Sequence, residues 1–166
     1  SVFRWLSRAG WLALLGAVCG VGSAALSAGA DELEGAATQA DVGIRIHDPR
    51  TGMVHYPYAY EGGERIEIES HPMREVGIFA HVLRTRETVV VNEGMAEAMQ
   101  KYGATTLPGT QTEKSGVFVP LVSGDQVRGL IDLLDLHREH AFGASDVRLL
   151  QTLAGAMSVA LENARL

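Results

Sequence analysis

The 166-residue chain contains a single cysteine, Cys19. One cysteine cannot close a disulfide within the chain, and it is too few for a cysteine-based zinc site. Basic residues are also sparse and form no run, since 14 lysines and arginines stand against 20 acidic residues and give a net charge of -6. Nucleic-acid-binding proteins usually carry a strongly basic surface, so we expect no nucleic-acid partner.

Common catalytic patterns are absent as well. The chain has no glycine-rich phosphate loop, no ordered Ser, His and Asp set, and no recognisable pair of carboxylates. His137 and His140 are three residues apart, which would suit zinc on a helix, but no matching third ligand stands nearby and the segment is predicted to be a loop. We therefore predict a protein without catalytic activity, metal or cofactor.

The composition is that of a folded protein. Hydrophobic residues make up 46% of the chain and charged residues 20%, a balance that favours a packed core over disorder. The length corresponds to one domain of ordinary size.

The first thirty residues differ from the rest. Arg4 and Arg8 precede an uncharged apolar run over residues 11–26, and Ala28 and Ala30 follow. This pattern is typical of a secretory signal, while residues 9–30 could also anchor the chain in a membrane or pack as a first helix. We predict a cytoplasmic protein, with membrane anchoring as the alternative. The acidic stretch that follows, residues 31–40, is predicted to be a linker or a helical lead-in.

From residue 41 onward, strand and helix patterns alternate. Residues 42–46 and 54–60 show the alternation of half-buried strands, as do residues 117–122 and 127–133. On the second strand Tyr56, Tyr58 and Tyr60 would share one aromatic face, and Pro57 predicts an edge or a bulge because it has no amide proton. Helical spacing occurs over residues 76–83 and 95–102. We predict an α+β domain in which helices pack against a central antiparallel sheet.

The last helix, which begins near Asp146, carries two apolar stripes. The first has the spacing of a coiled-coil seam, and the second comprises Leu149, Leu153, Ala156 and Ala160. Two stripes predict a homodimer through the terminal helices, and the alternative is a helix buried broadly within a monomer. We expect the helix to continue past Arg165, since no stop signal ends the pattern. The predicted dimer residues are Leu150, Ala154, Met157, Leu161 and Ala164.

Five segments in order resemble one family: residues 48–52, 114–121, 138–142, 145–150 and 158–166. Through them, residues 41–166 resemble a GAF domain, of the type found upstream of bacterial adenylate/guanylate cyclase or histidine kinase output domains. The resemblance implies a sheet of about six strands with helices on both faces. It further implies a ligand pocket on one face, and a dimeric helical bundle on the other that signals to an output domain outside this sequence.

The resemblance does not extend to every branch of the family. Cyclic-nucleotide-binding GAF domains have Asn-Lys where this chain has Asp135 and Leu136, and Glu where it has Val147. Bilin-binding members and the methionine-sulfoxide-reducing branch need a cysteine in the domain, whereas Cys19 lies in the apolar leader.

The middle of the chain should therefore line a pocket for an unknown small molecule. Aromatic walls with a few polar groups are typical of such sites. We predict a regulatory sensor, with a degenerate domain that serves as a ligand-free dimerisation spacer as the alternative. The candidate ligand-binding residues are Tyr58, Tyr60, Phe79, Thr112, Lys114, Ser115 and Phe118.

Overall fold

The structure is a computed structural model, and it describes residues 41–62 and 64–163. This part of the chain contains seven strands and three helices. The strands are β1 (Asp41–Asp48), β2 (Met53–Glu61), β3 (Glu64–Arg65), β4 (His71–Pro72), β5 (Val89–Val91), β6 (Ser115–Ser123) and β7 (Gln126–Asp135). The helices are α1 (Ile78–Thr85), α2 (Met95–Tyr102) and α3 (Ala144–Asn163).

The strands form one antiparallel sheet in the order β3-β2-β1-β7-β6-β5, with β4 paired to β2. A tight turn connects the two strands of each hairpin, β1–β2 and β6–β7. In the first, the Asp48 carboxylate accepts a hydrogen bond from the Arg50 amide at 2.9 Å, and Gly52 takes a positive φ of 70°. In the second, Gly124 has a φ of 62°. The predicted α+β fold, with helices on both faces of an antiparallel sheet, is confirmed.

Both faces of the central strands are buried. On one face α3 covers a cluster that includes Val117, Val119 and Ile131. On the other, Phe118 and Leu130 pack with α1 and α2 in a second cluster. The prediction that β6 is half-buried is therefore wrong, because helices cover the sheet on both sides and leave neither face to solvent.

Pro57 lies in a bulge, as predicted. Ile44 pairs with Tyr58 while Ile46 pairs with His55, so β2 has one extra residue where the register shifts. The bulge also separates the tyrosines. Tyr58 packs on the α3 side of the sheet and Tyr56 on the opposite side, so the predicted common aromatic face is wrong.

Helix α3 packs on its own sheet through the stripe that was predicted to form the dimer seam. Leu150, Ala154 and Met157 are almost completely buried in the core, and Leu161 packs partly against the same cluster. The assignment of the three buried residues to an intersubunit seam is therefore wrong, since contacts within the protomer already cover them. Ala164 lies outside the described residues.

The predicted leader and lead-in, residues 1–40, also lie outside the described residues. Within the parts of the chain that the structure describes, no helix combines the length and apolar character needed to cross a membrane.

Candidate functional site

A cavity of about 130 Å³ lies on the sheet face opposite α3. Its floor is formed by strands β1, β2, β6 and β7, and its walls by α1 and by residues from two segments, 66–77 and 103–113. The wall is partly apolar and partly charged. Apolar side chains that line it include Ile66, Ile68, Met73, Phe79, Met99 and Phe118.

Asp132 is the most buried charged group of this cavity. It lies on β7, where it is 3% exposed, and its Oδ2 accepts a hydrogen bond from Arg45 Nη2 at 3.4 Å. Burial raises the pKa of Asp132 above the ordinary value of 3.8, while the positive charge of Arg45 opposes that shift. The neighbouring Gly43 gives the carboxylate its space, because a Cβ there would lie 2.7 Å from Asp132 Oδ1.

Three further carboxylates line the cavity: Asp41, Glu61 and Glu113. Burial raises the pKa of each of them. The charges of Asp132 and Glu61 raise the pKa of Glu113 further, and that of Arg45 lowers it. The carboxylates of the cavity therefore repel one another electrostatically, so the ionisation of one carboxyl group raises the pKa of the others.

A hydrogen-bonded pair forms another part of the wall. His71 Nδ1 lies 2.8 Å from the Pro72 carbonyl oxygen, which can only accept, so Nδ1 donates. In the neutral imidazole Nε2 then accepts from the Tyr56 hydroxyl, 2.7 Å away. The Arg45 guanidinium carbon lies 5.9 Å from the centroid of the Tyr56 ring, so Arg45 is held between an aromatic face and the Asp132 carboxylate.

Three of the seven predicted ligand-binding residues line this cavity, namely Tyr60, Phe79 and Phe118. Tyr58 does not, because it packs on the α3 side with the Arg65 guanidinium carbon 5.4 Å from its ring centroid. Whether the three lining residues contact a ligand stays a prediction.

The polar candidates lie elsewhere. Thr112 is exposed and shares a hydrogen bond with Thr106 at 2.8 Å, while the side chain of Lys114 is exposed outside the cavity. Ser115 is fully buried, and its hydroxyl donates to the Arg138 carbonyl at 2.8 Å. None of the three lines the cavity, although Gln111, Glu113 and Phe118 of the same segment do.

The Asp132–Arg45 pair and Glu113 were not predicted from the sequence. One signal was available, since Asp132 interrupts an otherwise apolar strand, Leu130–Leu134. A carboxylate that is forced into a sheet interior needs a partner, and the partner comes from a strand 87 residues away in sequence.

Asp135, which replaces the Asn of the cyclic-nucleotide-binding branch, organises the loop that leads to α3. Its Oδ1 accepts the backbone amides of His137 and Arg138 at 2.9 and 2.8 Å, and its Oδ2 accepts two bonds of 3.0 Å from the Arg138 guanidinium. Together with the Ser115 contact, these bonds fix the loop to the sheet. His140 in the same loop lies 3.0 Å from Glu93 Oε2.

The antiparallel sheet with helices on both faces is the fold of a class of α+β domain that is found in signalling proteins. The family model of the GAF domain matches residues 23–162, and the chain belongs to that family. GAF domains are mainly regulatory modules of signalling proteins. No curated protein matches the chain.

Solved structures are similar in fold. The GAF domain of an Acinetobacter phosphoenolpyruvate-protein phosphotransferase has a TM-score of 0.61 at 15% identity, covering 96% of both chains. Residues 122 to 287 of a methyl-accepting chemotaxis protein give 0.63 at 16%, covering 84% of this chain and 86% of that one. A free methionine-R-sulfoxide reductase from Neisseria meningitidis gives 0.62 at 21%, covering 93% and 80%. These likenesses extend to the fold alone, and the fold serves both signalling proteins and enzymes, so the absence of catalysis stays a prediction.

Proposed function

We propose that this chain is the regulatory, small-molecule-sensing domain of a signal-transduction protein. The observation that carries the proposal is the cavity on the sheet, whose lining combines apolar walls with the buried Asp132–Arg45 pair. Small-molecule sites typically have this composition, in which apolar surface supplies affinity and a few polar groups supply orientation.

The sheet connects this cavity to α3. Asp132 faces the cavity, whereas its neighbours on β7, Ile131 and Leu133, pack in the core cluster that includes α3. A ligand that displaces β7 would therefore alter the surface on which α3 rests. It can shift the helix only if it binds the two arrangements with unequal affinity.

The signal would pass through paired α3 helices to an output domain, for which the resemblance suggests a cyclase or a histidine kinase. Because Leu150 and Met157 are buried in the protomer, the homodimer would use the outward face of α3. Val159, which is 49% exposed, is the large apolar residue of that face. Thr152 and Gly155 are exposed beside it at helical spacing.

A thermal-shift screen of the 166-residue chain against metabolites and nucleotides tests the sensing role. A molecule that binds the native state raises the melting temperature with its concentration. The hit should lose its effect in Thr106→Trp, which places a bulky ring in the cavity lining, and keep it in Thr51→Trp, a change in the exposed β1–β2 turn. If a compound raises the melting temperature of both variants as much as that of the wild type, its binding would contradict a ligand site in this cavity.

The alternative, a ligand-free dimerisation spacer, has one observation in its favour. Arg45 already neutralises Asp132, so the buried charge does not require a ligand. A spacer would respond to no compound but would still dimerise. Sedimentation of the wild type and of Val159→Asp measures that property, and we expect the charged variant to shift the dimer toward monomer.

A further inference from the structure

The cavity holds more negative than positive charge. Four carboxylates line it, whereas the guanidiniums in its lining are those of Arg45 and Arg74. Each guanidinium already has a partner: Arg45 contacts Asp132, and Arg74 Nη1 donates to the Thr105 hydroxyl. A bound group that brings positive charge would reduce the mutual repulsion of the carboxylates, while a bound anion would increase it.

The acidic excess is located toward Glu113 and Glu61. Glu113 is half-buried. Two carboxylates, Asp132 and Glu61, act on it electrostatically, against one guanidinium, that of Arg45. A carboxylate can only accept hydrogen bonds. The complementary ligand group must therefore donate hydrogen bonds and carry a positive charge.

A bare metal ion does not fit these carboxylates. Over residues 41–62 and 64–163, no three side chains of the metal-binding types converge closely enough to hold one. A divalent ion such as calcium takes about six to eight oxygen ligands, more than Asp132 and Glu113 supply. An organic cation can reach them, because an ammonium group offers three donors at the end of an extended molecule.

Apolar surface adjoins the carboxylates, since Phe118 on β6 pairs in register with Asp132 on β7. Phe79 and Phe118 lie in the core cluster between α1 and the sheet, and both also line the cavity. They offer apolar surface to whatever part of a ligand is uncharged. A purely polar cation such as free ammonium would leave this surface without a partner, which favours a ligand with a hydrocarbon part.

We propose that the cavity binds a small amphiphilic primary amine, whose ammonium group contacts Asp132 and Glu113 and whose apolar part packs against Phe79 and Phe118. This inference rests on the proposed sensing function and names the chemical class of its ligand. It also predicts that the cavity binds an amine more tightly than an alcohol or a carboxylate of the same shape, because the alcohol has no charge and the carboxylate is negative.

The test compares isoamylamine, isoamyl alcohol, isovalerate and the zwitterion leucine, which share a branched aliphatic skeleton. Titration calorimetry and thermal shift with the 166-residue chain at neutral pH should show binding of isoamylamine or leucine and none of isovalerate. Asp132→Asn and Glu113→Gln remove one charge each with little change in shape. Each should weaken amine binding by about 10- to 100-fold, the range for a hydrogen bond to a charged group.

Asp125→Asn is the matched control, because Asp125 is exposed in the β6–β7 turn and carries the same charge. It should leave amine affinity unchanged. If circular dichroism shows that Asp132→Asn does not fold, the amine affinity of Glu113→Gln, a variant in the connecting loop, tests the proposal by itself. Tighter binding of isovalerate than of isoamylamine, or no binding of either amine, would overturn the amine assignment.

The failure of this assignment differs from a failure of the sensing function. If the amines do not bind but another compound of the wider screen binds in a manner sensitive to Thr106→Trp, the domain is a sensor for a different ligand class. If no compound raises the melting temperature, the sensing function and the amine assignment are both contradicted, and the result favours the ligand-free spacer.

Discussion

Gly43→Ala probes the geometry at the floor of the cavity. The added Cβ would lie 2.7 Å from Oδ1, 3.1 Å from Oδ2 and 3.2 Å from Cγ of Asp132. Real carbon atoms do not approach so closely, so the carboxylate must move and its 3.4 Å contact with Arg45 must change. Such overpacking costs about 1–3 kcal/mol.

An opposing effect has to be subtracted. Replacing glycine by alanine reduces the freedom of the unfolded chain and stabilises the native state by about 0.4–1 kcal/mol. The two ranges leave a net destabilisation for Gly43→Ala that is centred on about 1.3 kcal/mol. For a chain of this size that corresponds to a melting temperature lower by roughly 3–5 °C.

Gly155→Ala is the matched control. Gly155 lies within α3, and a Cβ there meets no heavy atom within 4 Å. Alanine is favoured over glycine in a helix by about 1 kcal/mol, so this variant should be more stable than the wild type. The same chemical change should thus have opposite signs at the two positions, as measured by urea unfolding and by calorimetry.

A double-mutant cycle isolates the clash. In an Asp132→Ala background the carboxylate is gone, and Gly43→Ala should be neutral or stabilising. An equal cost of Gly43→Ala with and without Asp132 would refute the steric reasoning, since the loss would then come from the strand itself. A wild-type melting temperature in the single variant would refute it as well.

Three other changes are informative. Leu150→Ala should destabilise the domain by about 2–5 kcal/mol in urea unfolding, because Leu150 is fully buried between α3 and the sheet, whereas Arg148→Ala at an exposed position of α3 should change stability little. Asp135→Asn should cost about 1.5–3 kcal/mol at pH 7. Burial raises the pKa of Asp135, but the backbone amides of His137 and Arg138 and the Arg138 guanidinium outweigh burial and hold it below 3.8, so the deficit should shrink as the pH falls through the wild-type pKa. Asp132→Asn should show the opposite slope, because burial raises the pKa of Asp132 above 3.8 and the wild type loses stability relative to the variant as the pH rises through that pKa. Parallel slopes for the two variants in pH-dependent melting curves would contradict these assignments.

Much of the fold follows from local patterns. The turn residues Asp48 and Gly52 predicted the first hairpin, and the missing amide of Pro57 predicted an edge or a bulge, of which the structure has the bulge. These features depend on residues close in sequence, so their physical causes are visible in the sequence itself. Two-sided burial of β6 was missed, although residues 117–122 are apolar without a polar residue between them, a run that is typical of a fully buried strand.

The predicted binding residues divide in the same way. Phe79 and Phe118 could be placed near a pocket because large aromatic residues line apolar surfaces. Lys114 and Ser115 were assigned to the site as its polar groups, yet Ser115 fixes the α3 loop and Lys114 is exposed. Sequence spacing could not distinguish a side chain that points into a cavity from one that supports a neighbouring loop.

The sequence by itself determined the family, the order of the strands and helices, and the apolar stripes of α3, because periodicity and turn chemistry are local properties. Only the tertiary structure decided which stripe faces the core, and only it brought Asp132 beside Arg45 and Glu113 into one cavity. A buried carboxylate is stable only with partners that satisfy it, and those partners come from strands and loops far apart in the chain. The charge of the site is therefore a property of the folded sheet.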